Sequence, residues 1–182
     1  LTPDIDKALE GVEELIAEEP DNAYFHELKG QMLFEHGRVA EAIGPHSRSV
    51  ELAPDKALLH VNAARALLAT ERSENAETAL GHLKTATQLE PKNSFAWFEM
   101  ANAYGQLNNE PMANLATAER YYAVGAREQA FSFAQRAKEG LPRNTPEWRS
   151  AIDIMALTGP GDRDRRRNDR RGAAEDLAAL EQ

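Results

Sequence analysis

An alanine followed by a proline twelve residues later recurs along this chain, and it constrains the fold more than any other feature. The pair occurs at Ala8/Pro20, Ala42/Pro54, Ala79/Pro91 and Ala130/Pro142. Apolar residues between these markers follow helical spacing, and no segment has the alternation of a convincing strand. Short helical units repeated in this way bury their apolar faces by stacking on one another. We therefore predict an all-α solenoid of helical hairpins, with about nine helices wound into a right-handed superhelix.

The unit at residues 21–54 shows the pattern most clearly, as two amphipathic helices joined at Gly37 and closed by Pro54. We predict one domain over residues 1–158, beginning with a partial repeat whose front half lies upstream of Leu1. The other predicted segments are repeats near 55–91 and 92–125, an overlapping repeat at 111–142, and a capping helix at 145–158. In the overlap, one helix serves two repeats. Thr145 is the expected N-cap of the capping helix, and Pro146 its first residue.

The spacing matches the tetratricopeptide repeat (TPR), whose pattern is W-x2-L-G-x2-Y, then A-x3-F, then P, over about 34 residues. The closest match is Trp97-x2-Met100-Ala101-x2-Tyr104. Histidines 26 and 60 stand at the tryptophan position of their repeats. The pattern is degenerate but stays in register, so the resemblance implies the TPR fold.

Composition excludes several classes of site. The chain of 182 residues has no cysteine, which removes disulfides and thiolate metal sites. Its net charge is −9, and an acidic body argues against nucleic-acid binding. No run of apolar residues is long enough for a transmembrane segment. Residues 159–182 contain the sequence DRDRRRNDRR, which has nothing apolar to bury, and we predict a flexible Arg/Asp-rich tail.

No catalytic or metal-binding motif is visible. The sequence lacks HExxH, GxSxG and glycine-rich phosphate loops. Histidines 26, 36 and 46 are evenly spaced, but this spacing and the break at Gly37 keep them from sharing one helix face. For His26 and His60 we predict a packing role. The carboxylates lie in solvated runs, so we expect no enzyme activity and no metal or cofactor in this chain.

The concave surface of the solenoid is the candidate binding site, because the first helix of each hairpin lines it in such folds. We expect the following residues to face it: Tyr24, Glu27, Gln31, Val61, Asn62, Arg65, Phe98 and Asn102. This mixture of aromatic, amide and arginine side chains suits an extended peptide or a protein edge. The alternative is an ordinary solvated wall. A clamp for a terminal carboxylate is incomplete, because its lysines are absent.

Three segments resemble a particular family beyond the repeat consensus: NAYFHELKGQMLFEHGRVAEAI, AYGQLNNEPMANLATAERYYAVG and RAKEGLPRNTPEWRSAIDIM. They are similar to the C-terminal TPR half of bacterial periplasmic zinc metallopeptidases of the BepA-like group, over about residues 4–157. The resemblance implies a periplasmic location and an N-terminal peptidase domain in the same parent chain. That domain would carry HExxH and the zinc, since no zinc ligand of the family is present here.

Together these observations predict a noncatalytic protein–protein interaction module that binds protein or peptide segments. The resemblance adds a role in cell-envelope protein quality control, as the TPR half of a zinc metallopeptidase. The alternative is a stand-alone TPR chaperone or assembly subunit, for example one acting in cytochrome c maturation.

Overall fold

The computed structural model describes residues 5–159, which form nine α-helices and no strand. The helices are α1 (Ile5–Glu18), α2 (Ala23–Glu35), α3 (Val39–Leu52), α4 (Ala57–Leu68), α5 (Ser73–Leu89), α6 (Ser94–Gln106), α7 (Glu110–Ala123), α8 (Arg127–Gly140) and α9 (Pro146–Thr158). The predicted all-α architecture is confirmed for this part of the chain. The tail predicted beyond Gly159 lies outside the described residues, as do the first four.

The four turns that join the two helices of a hairpin share one geometry. Two residues before α3, α5, α7 and α8 stands a residue with positive φ: Gly37 (76°), Glu71 (55°), Asn108 (55°) and Gly125 (75°). Left-handed backbone of this kind ends a helix and lets the chain reverse. Gly37 therefore joins the first hairpin as predicted. At Glu71 a residue with a Cβ adopts the same conformation, which costs energy that glycine avoids.

Helix α7 takes part in two hairpins. It packs extensively against α6 on one side and against α8 on the other, and it also contacts α9. Both connections use the positive-φ turn, at Asn108 and at Gly125. Helix α7 is thus the second helix of one hairpin and the first helix of the next.

Prolines mark the connections from one hairpin to the next. In three of them the ring nitrogen of an aromatic side chain donates a hydrogen bond to the carbonyl oxygen of the preceding proline: His26 to Pro20 (2.8 Å), His60 to Pro54 (2.9 Å) and Trp97 to Pro91 (2.8 Å). A carbonyl oxygen can only accept, so each bonded histidine nitrogen carries its proton. These bonds support the predicted packing role of His26 and His60.

The core is built mainly from alanine and leucine where helices cross. One cluster joins α4 to α7, around Ala64, Leu83 and Ala103, and another joins α7 to α9, around Ala118 and Ala134. All five are almost completely buried. Small residues at these points allow the helix backbones to approach closely, and larger ones fill the space between them.

The last helix begins as predicted. The Thr145 hydroxyl accepts a hydrogen bond from the Trp148 backbone N–H at 3.2 Å, and Pro146 occupies the first turn. Trp148 and Met155 pack against the cluster between α7 and α9. Across residues 5–159, none of the helices combines the length and apolar character required to span a bilayer.

Candidate partner-binding groove

The first helices of three consecutive hairpins, α2, α4 and α6, contact one another side by side. A cavity of about 570 Å³ lies along α4 and α6 and reaches Phe34 at the end of α2. Its lining residues are Phe34, Arg65, Leu68, Ala69, Glu71, Glu99, Ala101, Asn102, Gly105 and Gln106. We call the surface formed by this cavity and the exposed face of the three helices the groove.

Arg65 lies at the centre of the groove and links its three helices. Its guanidinium carbon is 5.0 Å from the centre of the Phe34 ring and 5.4 Å from that of Phe95. Its Nε lies 3.8 Å from Oε1 of Glu99. Cation–π contact and charge pairing thus fix Arg65 between α2 and α6. Its position makes it a part of the groove wall as well as a potential contact for a partner.

Two asparagines beside Arg65 each donate to a carboxylate. Nδ2 of Asn62 is 2.9 Å from Oε1 of Glu27, and Nδ2 of Asn102 is 3.2 Å from Oε2 of Glu99. Burial raises the pKa of Glu27, although the bond from Asn62 opposes this and Glu35 adds to it. Within residues 5–159, neither asparagine Oδ1 atom accepts a hydrogen bond. Each of these oxygens can therefore accept from the backbone N–H of a bound segment.

Exposed apolar side chains recur at one position of the repeat. Tyr24, Leu58 and Phe95 each stand two residues before the aromatic residue that bonds to the proline. Their exposures are 56%, 61% and 43%. Phe98, 36% exposed, stacks on Phe95 with ring centres 6.3 Å apart. Helices α2, α4 and α6 are neighbours, and we call these four exposed side chains on them the apolar row.

The predicted groove residues lie on α2, α4 and α6, and Val61 is the one among them that belongs to the core. Tyr24 and Phe98 belong to the apolar row, while Asn102 and Arg65 line the cavity. Glu27, Gln31 and Asn62 lie between them, with Gln31 bonded to Glu35. Val61 is a correction: it is 1% exposed and belongs to the core. Helix α4 belongs to the middle one of the three hairpins and is buried on nearly every side, so periodicity could not identify its exposed face.

Sequence reasoning missed several residues of the groove. Phe34, Leu58, Phe95 and Glu99 were not predicted, although Leu58 and Phe95 occupy a regular repeat position. Aligning the three units on His26, His60 and Trp97 would have identified these two as counterparts of Tyr24. No sequence signal marks Glu99, whose role depends on its contact with Arg65.

Metal binding finds no support in the part of the chain that the structure describes. No group of three or more histidine or acidic side chains there is arranged to hold an ion. His60 and His82 form a pair, with their Nδ1 atoms 3.2 Å apart. Since Nε2 of His60 donates to Pro54, Nδ1 of His60 is the acceptor and His82 the donor. The pair therefore joins α4 to α5.

Comparison with known proteins identifies the fold. No family model matches the chain, and no curated protein has a matching sequence. The crystal structure of MamA superposes with a TM-score of 0.62 at 15% identity, covering 85% of this chain and 90% of that one. A MamA RS-1 double mutant gives a TM-score of 0.62 at 12% identity, with coverages of 87% and 89%.

A third solved structure is described as a thermophilic TPR protein. This protein, TTC0263 of Thermus thermophilus, has a TM-score of 0.50 at 19% identity, covering 84% of this chain and 91% of that one. At sequence identities this low, a structural match indicates the fold alone. The described chain is therefore an all-α helical solenoid of the TPR type.

Proposed function

We propose that this chain is a protein-interaction module that binds an extended segment of a partner protein along the groove. The observation that carries the proposal is the apolar row of Tyr24, Leu58, Phe95 and Phe98, on the same three helices as two amide oxygens that accept no hydrogen bond within residues 5–159. A contiguous set of exposed aromatic and aliphatic side chains is typical of interaction sites. Amide acceptors next to it would bind the partner's backbone, whatever its sequence.

The bound segment would place apolar side chains against the row and backbone N–H groups toward Asn62 and Asn102. In an extended chain, successive side chains point to opposite sides, so one set can enter the groove while the other faces solvent. The aromatic contacts supply most of the binding free energy in such interfaces. Arg65 is held by Phe34, Phe95 and Glu99, so the groove wall is formed before the partner binds.

Peptide selection tests this proposal with a defined readout. Peptides displayed on phage are selected on the whole chain, and the dissociation constant of the best one is measured by fluorescence anisotropy. We expect Phe95→Ala with Phe98→Ala to weaken binding at least tenfold, or by about 1.4 kcal/mol, because both rings leave the apolar row.

Tyr122→Ala provides the matched control. Tyr122 is 44% exposed on α7, which is not one of the three helices that form the groove, so its removal should leave the dissociation constant unchanged. Equal losses in both variants, or no loss in the double variant, would place the binding surface elsewhere. Arg65 is unsuitable for this test, because its removal leaves the carboxylate of Glu99 buried without its cation.

We further propose that this module is the TPR half of a periplasmic zinc metallopeptidase acting in cell-envelope protein quality control. The support is the sequence resemblance over about residues 4–157. In this arrangement the groove would hold client or partner segments near a peptidase domain of the same parent chain, and that domain would carry the zinc. The present chain would contribute binding and no catalytic group.

The residues encoded upstream of Leu1 test the parentage directly. An HExxH motif and a signal peptide there would support the peptidase. Their absence would overturn it and favour a stand-alone TPR chaperone or assembly subunit, such as one acting in cytochrome c maturation. Either result leaves the peptide-binding test of the groove intact.

A further inference from the structure

A second cavity, of about 250 Å³, lies where α5, α6, α7 and α9 meet. Trp97 and Tyr104 of α6, Glu119 of α7 and Glu147 of α9 are among its lining residues. None of its lining residues also lines the groove cavity. Helix α6 separates the two cavities. We call this second cavity the acidic pocket.

Glu119 occupies a repeat position that faces the groove in an earlier hairpin. It precedes its closing Pro142 by the same number of residues as Gln31 precedes Pro54. Helix α7 is also the first helix of the α7/α8 hairpin, and α9 is the helix that follows this hairpin. The position of Glu119 therefore opens toward α9. The shared helix thus places this repeat position in a cavity other than the groove cavity.

The carboxylate of Glu119 has no partner within residues 5–159. It is half-buried, and it makes no hydrogen bond or ion pair there. Burial raises its pKa. Removing a carboxylate from water without pairing it is unfavourable, and a cation in the pocket would relieve that cost.

The remaining walls of the acidic pocket also suit a cation. Trp97 and Tyr104 supply aromatic rings, which attract guanidinium and ammonium groups. Glu147 adds a second carboxylate, and burial together with this carboxylate raises the pKa of the Tyr104 hydroxyl. Lys84 lines the same cavity, and it makes no ion pair with Glu119. A planar guanidinium that can both stack and donate to carboxylates fits these walls best.

The chain itself contains such groups shortly after α9 in the sequence. Residues 162–171, DRDRRRNDRR, carry six arginines against three aspartates and begin three residues beyond the last residue of α9. From Glu147 to Gly159, α9 rises roughly 18 Å at 1.5 Å per residue. Seven extended residues from Gly159 to Arg166 can span up to about 25 Å. The arginines at 165–167 can therefore reach back to the pocket.

We propose that the acidic pocket binds an arginine side chain from residues 162–171 of the same chain. Glu119 and Glu147 accept hydrogen bonds from the guanidinium, and the rings of Trp97 and Tyr104 line the site around it. The contact anchors the basic segment beside α9. It is independent of the groove, so it stands or falls separately from the proposed function.

Paramagnetic relaxation in the full-length chain tests this contact. The chain has no cysteine, so Asn168→Cys gives a single site for a nitroxide label beside the arginines. The reporter is the indole N–H signal of Trp97, one of only two tryptophans. We expect the label to abolish this signal, and we expect Glu119→Gln or the triple change R165A/R166A/R167A to restore it. Circular dichroism of each variant verifies that the helices are intact.

Glu128→Gln on α8 is the matched control, since Glu128 is an exposed glutamate that does not line the pocket. It should leave the Trp97 signal abolished. The proposal would be overturned if the Trp97 signal survived the label in the chain with an unaltered pocket. It would also be overturned if the label abolished the signal and Glu119→Gln did not restore it. A mixture of nitroxide-labelled chains with unlabelled, isotope-enriched chains tests for binding between two copies. Loss of the Trp97 signal in this mixture would show that the arginine comes from a second copy, and it would overturn binding within one chain.

Discussion

At the scale of the residue, Gly30 packs directly against the ring of His46 in the first hairpin. A Cβ at position 30 would lie 2.8 Å from three atoms of the His46 ring, so only glycine fits against it. His46 is 1% exposed, and its Nδ1 is buried without a hydrogen bond. It occupies the phenylalanine position of the repeat pattern, following Ala42. A polar ring has thus replaced an apolar one at a buried site.

This substitution predicts a stability that depends on pH. Burial, with a further contribution from Arg65, lowers the pKa of His46 to about 4. The unfolded chain then binds more protons than the folded chain between about pH 6.5 and 4, so stability falls as the pH falls through that window. The contribution of His46 is at most about 1.4 kcal/mol per pH unit.

We expect His46→Phe to reduce the pH dependence of stability between about pH 6.5 and 5 while preserving the fold. The measurement is urea unfolding at several pH values, comparing slopes of unfolding free energy against pH. Because slopes are compared, a packing change caused by the larger ring does not affect the result. Burial and His60 also lower the pKa of His82, so part of the dependence should remain. Identical slopes in both proteins would show that His46 is protonated without cost.

At the scale of the element, the repeat spacing predicted the helices and their turns, and the reason is local. Apolar periodicity, prolines between hairpins and a glycine at position 37 all act within a few residues of one another. No glycine marks the turn at Glu71, so the sequence did not indicate its geometry, although its φ of 55° matches that of the turn at Asn108. Contacts such as Arg65 with Glu99 depend on neighbouring hairpins, and no local pattern encodes them.

Glu71→Gly tests the strain at that turn. Glycine adopts positive φ without the cost of about 1–2 kcal/mol that a side chain incurs, but it loses more entropy on folding. We expect a net gain of roughly 0.5–1 kcal/mol in unfolding free energy, measured by urea denaturation. Gly37→Ala, at the equivalent turn with a φ of 76° and open space around it, should change stability in the opposite direction. A loss of stability in Glu71→Gly would mean that its side chain contributes more than the strain costs.

At the scale of the whole molecule, the shared helix α7 determines where binding surfaces lie. The hairpins before it align α2, α4 and α6 into the groove, whereas α7 begins a new pair with α8 and contacts α9. The sequence indicated this overlap through the spacing of prolines and alanines. It could not identify which faces of α4 stay open, because hairpins on both sides cover that helix and leave Val61 in the core.

The central claim is that the groove, and no other surface, receives the partner segment. Chemical-shift mapping with the selected peptide tests it most directly, using the isotope-labelled full-length chain. We predict that the largest shifts fall on the apolar row and on the side-chain amides of Asn62 and Asn102. Signals of α8, which does not line the groove cavity, should stay in place. Shifts concentrated on α8 or on the acidic pocket, with the apolar row unaffected, would contradict the claim.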